Sequence, residues 1–407
     1  MKLKCLTLID NCIVGRPSTW RTKNIFGNNG QNAGIVNTEG KFWSDQRRFS
    51  LKHLKDLGFG RKSLDSVMVR EVDFVIDQLL ESKDGVVEMK NTFNVGIINI
   101  FWQIVADKRF EPGHTETDDM IDTVNSLVSN FTLLAFMPDF VLEMMSTLRL
   151  STTLNKQDDN VNKMIATMKN LIHDHLKDID HDNPRDFIDI YLNQKNTNPD
   201  FSEKQLAIMC IDFFVAGAET TSTTLLFAVL FMTIYPKVQE RCQTEIQELI
   251  GSKSPVIDDV HKLTYVMATL MEVQRMAMVA PGSLPHILTR NTVVDGYSFQ
   301  KGTIFVANLS KFLMDPEIFA EPKSFNPERF IDENGKLKKI EQFVPFGLGK
   351  RICMGESLAK NEMFLFFVRM LQRISFEGTN KLPSPNDVIY GLTRMPKPYE
   401  VKVKAHY

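Results

Sequence analysis

The chain has 407 residues, a hydrophobic content of 43% and a formal net charge of −2, so it can bury a large core and is not a disordered chain. This charge gives no global reason to expect nucleic-acid binding. Five scattered cysteines without a Cys-x-x-Cys pair argue against a disulfide framework or a zinc cluster and fit a reducing compartment. Neither a repeat nor a long Gly/Ser linker interrupts the sequence, which predicts one compact domain over residues 1–407.

The first 14 residues contain only short apolar runs, so they predict neither a signal peptide nor a membrane-spanning helix. After them, apolar residues recur three or four positions apart, which is typical of helices. The predicted helices are residues 41–57, 64–81, 93–106, 160–177, 202–235, 236–250, 265–278 and 356–371. Short strand patterns are predicted at 292–299, 303–307 and 399–403. The expected fold is therefore mainly α with small β-sheets.

The helix predicted at 202–235 starts with a capping-box pattern, Ser202 to Gln205, and is almost entirely apolar. It is long enough to cross a bilayer. Asp212 and Glu219 lie inside it, however, and an acidic residue at the centre of a membrane helix costs roughly 2.5–3.5 kcal/mol. We therefore predict a buried central helix of a large core.

The segment AGAETT of that helix places three small residues directly before an acid and two hydroxyl side chains. Gly217 costs roughly 1 kcal/mol of helix stability relative to alanine, which is reasonable where a flat ligand lies against the backbone. In this interpretation Thr220 donates to a bound oxygen ligand, and Glu219 supplies protons from the solvent side. The alternative is a tightly packed helix crossing.

Two pairs of side chains are spaced to share a helix face. Trp43 and Arg47 lie four apart, so an indole N–H and a guanidinium point the same way and suit carboxylates. A core aromatic beside an exposed arginine is the alternative. Glu272 and Arg275 lie three apart, and Arg329 would complete a shared, desolvated charge network with them. Glu-x-x-Arg is common on surface helices and carries little information by itself.

The ten-residue segment FGLGKRICMG places Cys353 on a glycine-shaped loop that opens onto a helical pattern. Backbone N–H groups and the positive end of the helix favour an unprotonated, metal-binding thiolate there. Gly349 and Gly355 let a flat cofactor approach or allow a positive φ. Arg351 is placed to reach an anionic group of the cofactor, and Phe346 to exclude water. A buried structural cysteine beside a glycine turn is the alternative.

These motifs resemble the cytochrome P450 family and follow its order. The resemblance implies a P450 fold that binds heme b, iron protoporphyrin IX, with Cys353 as the axial ligand of the iron. It implies Thr220 as the distal alcohol, Glu219 as its acid and Ala216 next to the ring. The other residues that it implies for cofactor binding are Trp43, Arg47, His286, Phe346, Gly349, Arg351 and Gly355. The residues that it assigns to a structural role behind the haem are Glu272, Arg275 and Arg329.

The run WSDQRRFSL, from Trp43, particularly resembles the animal microsomal clan, in which insect members are one candidate group. The resemblance implies insertion of one oxygen atom from O2 into an apolar small organic substrate, by hydroxylation or epoxidation. Electrons would come from NADPH through NADPH–cytochrome P450 reductase, with cytochrome b5 as a further candidate donor. The full-length form would lie on the cytosolic face of the endoplasmic reticulum membrane. Because no matching anchor, hinge or first strands precede Gly15, we expect an N-terminally incomplete chain.

Positive charge is concentrated around the predicted helix at 41–57, where it offers a docking face for an acidic electron donor or forms an ordinary solvated face. The basic residues are Arg47, Arg48, Lys52, His53, Lys55, Arg61, Lys62 and Lys350. Candidate apolar walls of a substrate pocket are residues 12–34 and 131–140 with Phe213, Phe214 and Ala216, and plain core is the alternative for each. A metal site is one interpretation of His173, Asp174, His175 and His181, but the spacing of His173 and His175 does not place them on one helix face, so a solvated polar stretch is predicted. The remaining alternatives are a thiolate-haem isomerase or dehydratase, a non-enzymatic haem-binding protein and an inactive, haem-free truncated P450.

Overall fold

The computed structural model describes residues 12–28, 30–82, 84–111, 113, 115–129, 137–195 and 197–406. Within these ranges the fold is mainly helical with small antiparallel sheets, which confirms the predicted fold class. The α-helices in chain order are α1 (Trp20–Asn24), α2 (Gly40–Asp56), α3 (Asp65–Leu80), α4 (Asn94–Ala106), α5 (Thr115–Ser129), α6 (Asp139–Thr147), α7 (Thr152–Asp178), α8 (Phe187–Lys195), α9 (Glu203–Ile234), α10 (Pro236–Leu249), α11 (Thr264–Ala277), α12 (Leu309–Leu313) and α13 (Glu356–Arg373).

The predicted helices correspond to α2, α3, α4, α7, α9, α10, α11 and α13, and most of their bounds agree within two residues. Helix α7 is the exception, because it starts at Thr152 where residue 160 was predicted. The Ser151 side chain accepts a hydrogen bond from the Leu154 backbone N–H and caps this earlier start. The helices α1, α5, α6, α8 and α12 were not predicted. Four of them span nine residues or fewer, which is too short to show a clear periodicity, whereas α5 has 15 residues and its length does not explain why it was missed.

The strands are short and pair in antiparallel fashion. They are β1 (Gly27–Asn28), β2 (Gln31–Asn32), β3 (Val86–Glu88), β4 (His286–Ile287), β5 (Thr292–Val294), β6 (Tyr297–Phe299), β7 (Ile304–Phe305), β8 (Ile374–Gly378), β9 (Val388–Tyr390), β10 (Arg394–Pro396) and β11 (Glu400–Ala405). The predicted terminal strand is β11, the centre of a sheet with β3 and β8. The predicted hairpin is β5–β6, whereas β7 pairs with β4.

Helix α9 runs through the core and packs against α4, α7, α11 and α13. The Ser202 side chain caps its first turn by accepting from the Gln205 N–H at 3.1 Å. The other half of the predicted capping box is missing, because the Gln205 amide exchanges hydrogen bonds with the Gly34 backbone. Among the described residues, α9 is the one helix long and apolar enough to cross a membrane, and 72% of its apolar window is buried inside the protein. This agrees with the predicted buried central helix.

The aromatic residues predicted as pocket walls lie on α9 and face the core. Phe213 packs edge-to-face on Phe101 with ring centroids 5.4 Å apart, and Phe214 packs on Trp102 at 5.3 Å. Both are buried. Residues 131–136 of the other predicted wall lie outside the described residues.

The prediction that His175 is solvated is wrong. Its side chain is buried between α7 and α8 and contacts Asp186, with 2.9 Å between Nε2 and Oδ2. Its other ring nitrogen lies 2.8 Å from the Leu171 carbonyl oxygen. Burial opposes protonation, but these two acceptors outweigh it and raise the pKa of His175. His175 follows the buried Leu171 and Ile172 at helical spacing, so it lies on the buried face of α7, and the packing of α8 on the end of this helix brings Asp186 to it.

Candidate functional site

A tight loop between β7 and α13 carries Cys353. The Cys353 backbone N–H donates to the Phe346 carbonyl at 3.0 Å and closes the loop. Gly349 has the predicted positive φ, 76°, and Gly347, which we did not single out, has φ 77°. Gly355 has φ −86°, which is not a positive φ. Its lack of a side chain affects the space beside the sulfur instead, since a Cβ there would lie 3.8 Å from the sulfur. Two glycines therefore shape the turn and a third leaves space beside the thiol.

The sulfur of Cys353 lies on an accessible surface. Of the described free cysteines, Cys353 is exposed while Cys12, Cys210 and Cys242 are buried. The surrounding protein nevertheless desolvates the thiol and raises its pKa, against the Gly355 backbone N–H and the Arg47 charge, which lower it. The predicted unprotonated thiolate is thus not maintained by the chain alone. A bound metal cation deprotonates a coordinating thiol outright.

Three cofactor-binding candidates converge next to this loop. The Arg351 guanidinium stacks 3.8 Å above the Trp43 ring centroid, and the Arg47 guanidinium lies 5.8 Å from the same ring. Arg47 also donates to the Ile352 carbonyl at 2.6 Å, which ties α2 to the cysteine loop. The indole nitrogen Nε1 of Trp43 is buried without a hydrogen-bond partner among the described residues. A buried donor of this kind requires an acceptor, and the part of the chain that the structure describes supplies none.

Arg16 belongs to the same cluster and was missed, although it stands in the Gly-Arg-Pro run near the start of the chain. It is buried and donates to the carbonyls of Val36, Leu284 and Pro285. Burial lowers the pKa of Arg16 to about 10. Burial, followed by the charges of Arg16 and Arg47, lowers the pKa of Arg351 to about 9. Crowded guanidiniums of this kind form a site for an anionic ligand.

His286 lies on β4, directly after the two carbonyls that Arg16 binds. Its Nδ1 contacts the Ile13 carbonyl oxygen at 2.7 Å, and Arg351 donates to the neighbouring Val14 carbonyl at 2.8 Å. The chain segment at residues 13–14 therefore links His286 to the arginine cluster. The structure brings His286 to the edge of this cluster.

Helix α9 presents two of its candidate residues on one face. Ala216 is exposed and Thr220, one turn later, is half-exposed. The Thr220 hydroxyl donates to the Ala216 carbonyl at 2.8 Å, a contact that loosens the local helix ladder. This face is open to a ligand, as the AGAETT motif predicts.

Glu219 points away from that open face, because consecutive helix residues are separated by about 100°. Its Oε1 accepts from the Thr393 hydroxyl at 2.7 Å and from the Thr223 hydroxyl at 3.1 Å. Its Oε2 is buried without a partner among the described residues. Only 2% of Glu219 is exposed, so the predicted position on the solvent side is wrong. Burial raises the pKa of this carboxyl above its ordinary value, and the two hydroxyl bonds oppose it.

A second buried acid near α9 was not predicted. Glu362 lies on α13 with 3% of its surface exposed, and it contacts the Thr221 hydroxyl on α9. Burial raises the pKa of Glu362 to about 8, although the Thr221 contact lowers it. The helix that follows the cysteine loop is thus joined to the helix that carries Thr220. Its position in the sequence, inside an amphipathic helix, gave no signal of this role.

The structure joins Glu272, Arg275 and Arg329 in one network. The Glu272 carboxylate accepts from Arg275 at 2.7 and 2.9 Å and from Arg329 at 3.1 Å. Arg275 is fully buried and also donates to the carbonyls of Leu313 and Pro322. The two guanidiniums therefore share one carboxylate, and the network holds α11 against the loop after α12.

A sequence model of the family described as Cytochrome P450 matches residues 9–403 of the chain. Cytochrome P450 2B19 of Mus musculus is 35% identical over 382 residues, which cover 91% of this chain and 77% of that protein. Cytochrome P450 2B4 of Oryctolagus cuniculus is 35% identical with coverages of 92% and 78%, and cytochrome P450 2U1 of Bos taurus is 34% identical with coverages of 89% and 68%. The chain belongs to the cytochrome P450 family.

This P450 is of the animal microsomal type, a monooxygenase with haem b as its cofactor. Its residues fit that cofactor. The accessible sulfur of Cys353 offers a ligand to iron beside the open space at Gly355. The unpartnered indole N–H of Trp43 and the neighbouring guanidiniums offer donors and positive charge to the two propionate carboxylates.

The basic face of the P450 is smaller than the sequence indicates. Arg47 turns inward to the cysteine loop, Arg48 pairs with Asp45 at 2.8 Å, and Lys62 pairs with Asp258. Lys52 and Lys55 remain exposed on α2. Part of the predicted positive charge is therefore used in contacts within the chain.

Proposed function

We propose that Cys353 is the axial ligand of the haem iron and that the enzyme inserts one oxygen atom from O2 into an apolar small organic molecule, by hydroxylation or epoxidation. The observation that carries this proposal is the accessible thiol on the glycine loop, joined by Arg47 to the donor cluster around Trp43. When bound, the haem supplies the reduction and splitting of dioxygen, favoured by its thiolate ligand.

The chain's own residues orient the cofactor and exclude water. Trp43, Arg47 and Arg351 bind the propionates, and His286 adds a donor at the edge of the cluster. The stacking of Arg351 on Trp43 fixes the planes of both side chains. The glycines of the cysteine loop keep the backbone close to the sulfur. Phe346 covers the loop, and the Lys360 ammonium lies 5.4 Å from the centroid of the Phe346 ring.

Thr220 and Glu219 serve proton delivery. The Thr220 hydroxyl lies on the open face of α9, where Ala216 leaves space for the ring. Glu219, one residue earlier, is the candidate proton donor, and burial raises the pKa of its carboxyl above the ordinary value. Glu272, Arg275 and Arg329 keep a structural role, since both guanidiniums contact the buried Glu272 carboxylate.

We propose NADPH–cytochrome P450 reductase as the electron donor, with cytochrome b5 as a second donor. The exposed Lys52 and Lys55, together with Lys350 next to the cysteine loop, offer positive charge to an acidic partner. The enzyme would act as a single domain over residues 1–407. The relatives are microsomal, which is consistent with the endoplasmic reticulum membrane, and we propose the cytosolic face of that membrane for this enzyme.

The test compares the wild type with Cys353→Ala, Cys353→His and the buried control Cys242→Ala. We expect the wild type and Cys242→Ala to share the absorption spectrum of a reduced, carbon monoxide-bound thiolate haem. Cys353→Ala should lose that spectrum, and Cys353→His should shift it, since imidazole replaces the thiolate. An unchanged spectrum in both Cys353 variants would refute the ligand. Consumption of NADPH only when reductase is added would then distinguish the oxygenase from a haem-binding protein without activity.

A further inference from the structure

Thr393 lies in the turn between β9 and β10, 174 positions from Glu219 in the sequence. Its side chain is buried, with 5% of the residue exposed. Its hydroxyl donates to Glu219 Oε1 at 2.7 Å, the shorter of the two hydrogen bonds that this carboxyl receives. A residue near the carboxyl end of the chain therefore contacts the acid next to Thr220.

The turn that carries Thr393 is held on both sides by backbone hydrogen bonds. The Leu392 N–H donates to the Val128 carbonyl at 2.8 Å, and the Arg394 N–H donates to the Val279 carbonyl at 2.8 Å. The Arg394 guanidinium is buried and donates to the Ala277 carbonyl at 2.9 Å. These contacts attach the turn to α5 and to the end of α11, in addition to the packing of β10 on α9, and they place the Thr393 hydroxyl against the Glu219 carboxyl.

The two oxygens of the Glu219 carboxyl lie in different surroundings. Oε1 accepts from two hydroxyls, Thr393 and Thr223. Oε2 is buried and has no partner among the described residues. The two threonines therefore hold the carboxyl through Oε1 alone.

We propose that Thr393 is a positioning residue for proton delivery, whose hydroxyl fixes the orientation of the Glu219 carboxyl through Oε1. The inference rests on the proposed role of Glu219 in the relay. Thr223 is the weaker of the two contributors, since its hydroxyl is 3.1 Å from Oε1 and moves with the same helix as the acid. The β9–β10 turn thereby influences proton delivery through Glu219, without contacting the reacting atoms itself.

The test uses Thr393→Val, which keeps the shape and removes the donor, with Thr393→Ser as the rescue and Thr223→Val as the matched control. The carbonyl band of the protonated carboxyl, measured by infrared spectroscopy of the ferric protein and identified by its loss in Glu219→Gln, reports on the hydrogen bond directly. In Thr393→Val the band should move to the higher frequency of a carbonyl with fewer donors. It should also persist to higher pH, because the Thr393 bond lowers the pKa of Glu219.

The second readout is the solvent deuterium isotope effect on NADPH oxidation in the presence of reductase. We expect Thr393→Val to slow this oxidation about three- to tenfold, the equivalent of one hydrogen bond, with an increased isotope effect. Thr393→Ser should restore both readouts, and Thr223→Val should change them less. The reduced carbon monoxide spectrum of each variant confirms that the haem site has folded.

The inference is overturned if Thr393→Val shows the wild-type band and isotope effect while Glu219→Gln changes the isotope effect. If Glu219→Gln itself leaves the isotope effect and the rate unchanged, the relay role under the proposed function fails and this inference fails with it. The two failures are therefore distinguished by the Glu219 variant alone.

Discussion

Glu362 provides a test of the electrostatics of the core, because it holds a carboxyl group between α13 and α9 without a charged partner among the described residues. Its Oε1 is buried with no hydrogen-bond partner there. Its pKa rises from 4.5 to about 8 through burial. The folded protein therefore keeps this proton over a pH range in which the unfolded chain has released it. We predict that Glu362→Gln, which resembles the protonated acid in shape, removes a pH-dependent loss of stability.

The direction and size follow from proton linkage. Between pH 4.5 and about 8 the unfolded state binds fewer protons at this site than the folded state, so the free energy of unfolding falls as pH rises. At about 1.4 kcal/mol for each pH unit, the whole interval amounts to roughly 5 kcal/mol. The contribution is fully present below pH 4.5 and has been lost once the pH exceeds the folded-state pKa. The glutamine variant should lack this term.

Urea denaturation of the haem-bound protein at pH 5, 7 and 8.5 measures the effect. We expect Glu362→Gln and the wild type to have similar free energies of unfolding at pH 5. At pH 8.5 the free energy of unfolding of the variant should exceed that of the wild type by several kcal/mol. Glu240→Gln, an exposed substitution on α10, should show no such divergence. Parallel pH profiles for the wild type and Glu362→Gln would refute a buried, neutral carboxyl at this position.

Two further predictions concern buried polar contacts, and both are measured by urea denaturation. Glu272→Gln removes the charge that pairs with Arg275 and should cost about 3–5 kcal/mol, whereas Glu328→Gln, which breaks an exposed ion pair, should cost no more than about 1 kcal/mol; equal losses would contradict the buried network. Asp212→Leu should cost about 2–6 kcal/mol, because the two backbone N–H groups that donate to Oδ2 at 2.6 and 3.0 Å lose their acceptor. Asp212→Asn keeps an acceptor oxygen and should stay within about 1 kcal/mol of the wild type near pH 6, and a loss as large as that of the leucine variant would disprove this assignment.

The sequence predicted most of the fold because long helices have a local signal. Apolar periodicity located α2, α9 and α13, and a proline following the apolar run marked the end of α9. The capping pattern at Ser202 was half right, because the hydroxyl caps the helix while Gln205 binds Gly34 instead. A side chain with several possible partners takes the one that tertiary packing brings near, and no local rule selects it.

The candidate site divides in the same way. The order of the motifs and the glycine spacing around Cys353 are properties of the sequence, and the family match agrees with the resemblance they carry. The burial of Glu219 against Thr393 and the addition of Arg16 to the cluster depend on contacts between residues far apart in the chain. The spacing of residues within either segment does not reveal these contacts.

The sequence by itself determined the helical class and the family and singled out Cys353 as the candidate ligand, because each depends on residue types at fixed short spacings. Only the tertiary structure decided which way the acids of α9 and α13 point, which arginines crowd together and which histidine is buried. Those outcomes depend on desolvation and on distances across the core, and both exist only once the chain has folded.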